Sequence, residues 1–438
     1  MPLLSEPAAH TPLRPSACPG LLRVVQALDG GLCRVKLPGG VLRAEQAEAL
    51  AQAARRYASG VLEVTNRSNL QIRGIGGEAA ALAEALLAAG LGPREVAADD
   101  VRNLMLSPAA GLDPARLIDV GPLATQILAS LEQRTSLHQL SAKFAVQLDG
   151  AEELAMVEHH HDLWLSAMVH QGQTLFAVGL AGCPVDGSQL AVAAQDAHAL
   201  VLAVLERFVK VATPAQTRMR DLGASLQDLL QGSAIALHAV AFRRARVLAE
   251  PLGVHVQSQP GRVSVCAGAP LGRLDAMALH GVAQLARRYG DGTLRMTPWQ
   301  GLLLPHIATG QAGEVVSQLD ALGLLTDAAA PLAQLLACTG AAGCAKGHSD
   351  TKADALRLAQ LLPRAQAVHL SGCPRSCACA HGAPVTLLAT SPGHYDLYVR
   401  DAQGEGFGAL QARNLSLQAA AAWLGRSCSD SSTDKGTP

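Results

Sequence analysis

Two short stretches late in the chain carry residues suited to soft-metal chemistry. "LACTGAAGCAKG" (336–347) holds Cys338 and Cys344 with five residues between them, and "HLSGCPRSCACA" (369–380) holds Cys373 and Cys377 with three between. Thiolates favour iron–sulfur clusters, zinc or copper. Structural zinc sites use tighter Cys-x2–4-Cys pairs. A strand, "AVHL", runs into the Gly-Cys-Pro turn at 372–374, and Pro374 is suited to start a helix. Two loops facing each other across a bulky cofactor fit a 4Fe–4S cube, which takes four thiolates. Zinc and unliganded core cysteines stay open as alternatives. Cys18, Cys33, Cys183, Cys266 and Cys428 have no partner at ligand spacing and read as small buried hydrophobes; Cys379 adjoins the second pair and stays ambiguous.

Elements must hold these loops in place, and the chain supplies them twice. "LAQAARRYASGVLEVTNRSNLQIRGI" (50–75) aligns without a gap with "VAQLARRYGDGTLRMTPWQGLLLPHI" (282–307), at a constant offset of 232. Each copy reads as a helix, a Gly turn, a strand, a polar turn and a second strand. Further strands are expected at 143–150, 162–170, 174–182, 385–390 and 395–401, and helices at 187–211, 274–289 and 351–363. The fold class is α+β and pseudo-twofold, with duplicated ferredoxin-like half-domains and two cluster-side domains. The expected layout is an arm (1–17), half-domain 1 (18–90), a reductase-like domain (91–240), half-domain 2 (241–325), a cluster-binding domain (326–426) and a disordered tail (427–438).

Composition sets the bounds. The chain has 438 residues, 49% of them apolar, and a formal net charge of -1. That suits several packed domains and disfavours a nucleic-acid partner. No apolar run spans a bilayer, the N-terminus lacks a secretory pattern, and the expected compartment is the cytoplasm. "GIGGEA" (74–79) is a loose dinucleotide fingerprint, read here as a strand-to-helix turn.

The cysteine spacing after duplicated half-domains resembles the nitrite and sulfite reductase superfamily, over most of residues 18–425. "CRVKLPGGVL" (33–42), "TNRSNLQIRGI" (65–75), "DVRNLM" (100–105) and "KF" (143–144) look like its tetrapyrrole- and anion-binding segments. The resemblance implies that Cys377 would bridge the cluster to sirohaem iron, and that four basic side chains would hold an oxyanion. Arg67, Arg102 and Lys143 match three of them; Ala145 stands where the fourth, a lysine, is expected.

"RPSACPGLLRVVQALDGGLCRVKLPGG" (14–40), "DVGPLA" (119–124) and "HLSGCPRSCA" resemble the precorrin-3B synthase branch of that superfamily. There the macrocycle is the substrate. The branch implies a monooxygenase that uses O2 and NADH-derived electrons to hydroxylate precorrin-3A at C-20 with γ-lactone formation. It also implies a 4Fe–4S cluster, a mononuclear non-haem iron, and an electron-donating reductase or NADH as partner to a monomer. Sirohaem belongs only to the alternative, a sulfite or nitrite reductase; a non-catalytic tetrapyrrole or electron carrier is a third reading.

A carboxylate-rich ring needs Arg and Lys around an apolar floor. Arg67, Arg73, Arg102, Lys143 and Arg295 are the candidates, with Asn66, Asn69 and Gln71 as further donors; Arg67, Arg102 and Lys143 are the candidate catalytic cations. In the second copy Trp299 stands where Arg67 stands, which suggests one copy for binding and one for packing. The ligands of a mononuclear iron are not legible. "EHHHDLW" (158–164) puts His159 and His161 on one face of a strand beside Glu158 and Asp162, but a polar loop explains the stretch equally simply. His348, His369 and His381 lack ligand spacing.

Overall fold

The computed structural model describes residues 18–247, 250–379, 382–401 and 406–427. The expected arm (1–17), most of the expected tail, His381 and Cys428 lie outside the described residues.

The first repeat comprises β1 (Val25–Ala27), β2 (Gly30–Val35), β3 (Val41–Arg43), α1 (Ala44–Tyr57), β4 (Val61–Val64), β5 (Leu70–Ile75) and α2 (Ala79–Ala88). Then come β6 (Leu104–Leu106), α3 (Gly121–Gln133), β7 (Val146–Asp149), β8 (His161–His170), β9 (Gln173–Gly182), β10 (Ser188–Ala193), α4 (Ala197–Val211), α5 (Met219–Leu222), α6 (Leu226–Leu229) and β11 (Leu237–Phe242). The second repeat holds β12 (Gly253–Val256), β13 (Arg262–Gly268), β14 (Arg273–Asp275), α7 (Ala276–Tyr289), β15 (Thr293–Met296), β16 (Gly301–Ala308) and α8 (Ala312–Ala321). Last are β17 (Leu335–Ala337), α9 (Thr351–Leu361), β18 (Val368–Ser371), β19 (Val385–Ser391), β20 (His394–Val399), β21 (Ala409–Ser416) and α10 (Leu417–Ser427).

The duplication holds residue by residue. Helices α1 and α7 bury the same positions at the offset of 232: Ala44, Ala47, Leu50, Ala51 and Ala54 against Ala276, Leu279, Val282, Ala283 and Ala286. This spacing makes one apolar stripe per helix, and the small residues let the two helices approach closely. Left-handed backbone recurs at the same offset too, at Gly39 and Leu271, Ser68 and Gln300, and Gly74 and His306.

Each repeat lends its partner a strand. The sheets run β1-β2-β5-β4-β14 and β12-β13-β16-β15-β3. Leu274 pairs with Leu62 in one and Leu42 with Leu294 in the other, the same register in both. β3 and β14 therefore cross the boundaries expected for the half-domains.

The other two sheets share a plan. β6, β7 and β8 run parallel before the sheet continues antiparallel through β9, β10 and β11; β17, β18 and β19 do the same before β20 and β21. Two expectations need correction. Residues 188–193 form β10, not the start of a helix, because "SQLAVA" is paired on both edges, by β9 and β11. No helix follows Pro374; Ser376 takes a left-handed φ of 51° and the loop turns instead.

Candidate functional site

Two loops at the ends of parallel strands carry the cysteines. Cys338 directly follows β17, and Cys373 lies two residues beyond the end of β18. The Gly372 N–H donates to Cys338 Sγ at 3.2 Å, and the Cys344 N–H donates to the Gly340 carbonyl at 2.9 Å. Glycine is required where the loops meet: a Cβ on Gly340 would lie 2.5 Å from the Ser349 carbonyl oxygen, and its φ is +66°. Burial pushes the Cys377 thiol up, and Cys373, Cys338 and Cys344 add to the rise, so the four sulfurs share one electrostatic neighbourhood. Among the described residues, no three of them lie within 4.8 Å of one another. Sulfurs around one tetrahedral zinc stand about 3.7 Å apart, given 2.3 Å bonds. A set wider than one zinc requires leaves Cys338, Cys344, Cys373 and Cys377 as the residues that could hold a 4Fe–4S cube, which takes four thiolates.

The first repeat braces this loop. Arg73 forms a two-pronged pair with Asp29 at 2.7 and 2.8 Å, and donates to the Gly343 carbonyl at 3.5 Å. Buried Glu63 gathers Lys352 at 3.3 Å, Arg273 at 3.3 Å and Arg73 at 3.5 Å. Burial alone would raise the Glu63 carboxyl; Lys352, Arg73 and Arg273 outweigh it and hold it below its ordinary value. Arg73 is thus engaged at the cysteine loop. A cavity of about 300 Å3 adjoins this network, between β14, α7 and α9, with Leu271, Arg273, Lys352 and Leu356 in its wall.

The sheet face away from the helices explains the split between copies. Across β2, β5, β4 and β14, neighbouring residues make a row of Arg34, Gln71, Glu63 and Arg273. The equivalent row in the second sheet is Cys266, Leu303, Arg295 and Val41. Cys266 and Leu303 join Trp299, Ala109, Leu112 and Leu154 in one apolar cluster. Arg295 alone keeps its charge there and spends it on the Pro108 and Ala110 carbonyls, at 2.9 and 2.7 Å. One copy presents cations and amides; the other is packed shut.

Beside the cationic face lies a narrow crevice, too tight to hold a water molecule, lined by Arg67, Asn69, Asn103, Leu104, Met105 and Ala145. Arg67 donates to the Lys143 carbonyl at 3.1 Å. Burial, then Arg218 and Arg34, push its guanidinium down to about 10. A site that crowds cations in this way favours an incoming anion. Arg34 is half-buried, and its buried Nε has no hydrogen-bond partner. Arg218 is neutralised by Asp162, with nitrogen–oxygen distances of 3.0–3.1 Å. Asn69 accepts from the Leu37 N–H at 2.8 Å and fixes the Pro38–Gly40 turn. Asn66 is half-buried in the β4–β5 turn, and Gln71 is half-buried on the face shared with Arg34.

The expected cations do not all converge. Arg102 is buried against Glu132, Nε to Oε1 at 2.9 Å, without the alignment of a hydrogen bond. The Lys143 side chain is exposed. Arg73 and Arg295 are committed to loop carbonyls and carboxylates, as above. Arg34 escaped the sequence reading. The alternation in "CRVKL", with Cys33 and Val35 buried in the core, was the available signal that Arg34 faces the other way.

The histidines separate likewise. His161 is buried, with Nδ1 on the His159 carbonyl at 2.7 Å and Nε2 3.0 Å from Met105 Sδ. Glu158 pairs with Arg246. Asp162 serves Arg218, the Met219 N–H and the Ala145 N–H. His159, His161, Glu158 and Asp162 therefore do not form an iron triad.

Comparison with known proteins places this architecture. The description "Nitrite/Sulfite reductase ferredoxin-like half domain" matches residues 26–90 and 255–322. "Nitrite and sulphite reductase 4Fe-4S domain" matches residues 97–222. The four cysteines lie outside that segment, in the later sheet of the same plan. The chain is 27% identical over 432 residues to a precorrin-3B synthase of Sinorhizobium sp, covering 97% of this chain and 91% of that protein. It is 29% identical over 386 residues to a chloroplastic ferredoxin–nitrite reductase of Zea mays, covering 79% and 67%. The structure of the Mycobacterium tuberculosis NirA protein superposes with a TM-score of 0.75 at 18% identity, over 93% of this chain and 82% of that one.

Proposed function

Because the chain belongs to the nitrite and sulfite reductase superfamily, we propose that it puts this scaffold to the use of a precorrin-3B synthase, an O2-dependent monooxygenase acting on a carboxylate-bearing tetrapyrrole. The observation that carries this reading is the state of the expected oxyanion cage. Reduction of sulfite or nitrite needs several fixed cations on one small anion. Here Ala145 replaces a lysine and lines the recess with Leu104 and Met105, Arg102 is spent on Glu132, and Lys143 is exposed. A small anion would meet one lining arginine, the amides Asn69 and Asn103, and an apolar wall in place of the full set of cations.

A macrocycle edge suits the same surface. Asn69, just before β5, and Gln71 and Arg73 on it follow one another at alternate positions. From Asn69, beside the recess, to Arg73, beside the cysteine loop, is roughly 13 Å at 3.3 Å per residue. Arg34 and Arg67 would clamp peripheral carboxylates, Gln71 would donate between them, and Leu104 and Met105 would exclude water. The cluster, when bound, supplies single electrons. Hydroxylation by dioxygen places one oxygen on the substrate and releases the other as water, consuming two protons and two electrons, so a reductase or NADH must be the partner. We place the enzyme in the cytoplasm as a monomer. No described helix is long and apolar enough to cross a membrane.

The similarity to ferredoxin–nitrite reductases supports a sirohaem-dependent reductase as the competing reading. Turnover of precorrin-3A under isotopically labelled dioxygen should add one labelled oxygen to the product mass. Arg67→Ala should cut that turnover by about 100-fold, the scale of losing one preorganised charge donor. Reduction of sulfite or nitrite with methyl viologen, together with sirohaem absorbance, would reject the proposal. Tight binding of precorrin-3A without oxygen gain would point to a carrier instead.

A further inference from the structure

The β8–β9 hairpin carries a second set of ligand-type side chains that the assigned chemistry does not use. Its register pairs His161 with Gly182. His160 and Cys183 therefore stand opposite each other just beyond that pair, where cross-strand side chains are neighbours. Asp186 reaches back from the following turn. Its Oδ2 accepts the Cys183 N–H at 2.9 Å, lies 3.3 Å from Cys183 Sγ and stands 3.7 Å from His160 Nε2. All three ligand atoms fall within 4.8 Å of one another, and among the described residues no other set of three does so.

The chemistry is specific. An imidazole, a thiol that now donates to Asp186 and would lose its proton to a bound ion, and a carboxylate together make an N/S/O donor set, suited to a borderline divalent ion and poor for Mg2+ or Ca2+. Around a tetrahedral ion with bonds of about 2.0–2.3 Å, ligand atoms stand roughly 3.3–3.7 Å apart, close to the spacings here. Cys183 is buried just after β9, while His160 and Asp186 are exposed. Three protein ligands leave a fourth position open. His161, the next residue along the strand, touches Met105 in the wall of the recess.

We propose that His160, Cys183 and Asp186 form a mononuclear site for a borderline divalent cation of the Zn2+ or Fe2+ class, separate from the cysteine quartet. The site does not depend on which reaction the recess supports. It differs from the His159–His161 pairing that simple strand alternation favours, because the ligands come from both strands of a hairpin.

Cobalt(II) is the probe, added anaerobically to the full chain with its cluster in place. One Co2+ per chain should bind in excess of cluster iron, with a thiolate-to-cobalt charge-transfer band in the near ultraviolet. Cys183→Ser should abolish that band and leave the cluster's visible absorbance unchanged. His160→Ala alters an exposed residue, so the fold is spared, and it should weaken cobalt binding by at least about tenfold. Failure of the parent protein to take up cobalt would overturn the proposal. So would a charge-transfer band that persists in Cys183→Ser, or unchanged affinity in His160→Ala. Competition by Zn2+ against Fe2+ in the same titration distinguishes the two candidate ions.

Discussion

Cys373 and Glu152 show how single side chains commit the two similar sheets to different ends. Cys373 supplies a thiol just beyond β18; replacing it with Ser should remove the cluster's brown absorbance and labile sulfide, and retention of both would refute the ligand assignment. Glu152 lies just beyond β7 in the other sheet, fully buried. Burial first, then Asp149, raises its carboxyl well above the ordinary 4.5. The folded state therefore keeps the proton that the unfolded chain releases. Its stabilising contribution is present below pH 4.5 and is lost as pH rises toward the elevated value. Glu152→Gln should thus flatten the loss of stability on the alkaline side, measured by thermal melts between pH 5 and 9; an unchanged pH slope would reject this. The cysteine spacing made the first residue legible in the sequence. Nothing in "DGAEEL" marked the second, because its protonation depends on burial that only the fold creates.

At the scale of elements, the repeat was readable because α1 and α7 share most of their buried positions and keep identical lengths. What repetition hides is backbone cost. His306 adopts φ 59° where the first copy uses Gly74 at 69°, and Leu271 adopts φ 53° where the first copy uses Gly39. The left-handed region costs an L-residue about 1–2 kcal/mol. His306→Gly should therefore stabilise the protein by about 1 kcal/mol, and a lowered urea midpoint would contradict this. Leu271→Gly relieves the same strain but empties a buried site in the core of the last sheet, so it should destabilise by about 1–3 kcal/mol net. The strand β10 was misread as helix because its Ala- and Leu-containing run suits both states, and pairing on both edges decides. The helix expected after Pro374 failed because a loop wrapping four thiols needs turns. Arg34 was legible in the alternation of "CRVKL", whereas the His160–Cys183 pair was not, because it depends on cross-strand register, which one sequence does not print.

At the scale of the whole molecule, β3 and β14 make the repeats mutually dependent. Residues 18–90 alone would lack β14 along the β4 edge and leave β3 without β15. That fragment should be unfolded by circular dichroism, whereas co-expressed chains 18–240 and 250–427 should associate and melt together; a cooperatively folded 18–90 fragment would contradict this. The sequence disclosed the duplication but not the exchange, since each copy contains a full complement of strands either way. The equal register of the two loans has a historical consequence. Two identical short chains could have made this same exchange as a symmetric dimer, each covering the other's β4 or β15 edge. Joining their genes would then have required no new interface. It would also have released the two cationic faces from having to stay alike, so that one could fill with Trp299 and Leu303 while the other went on receiving a ligand.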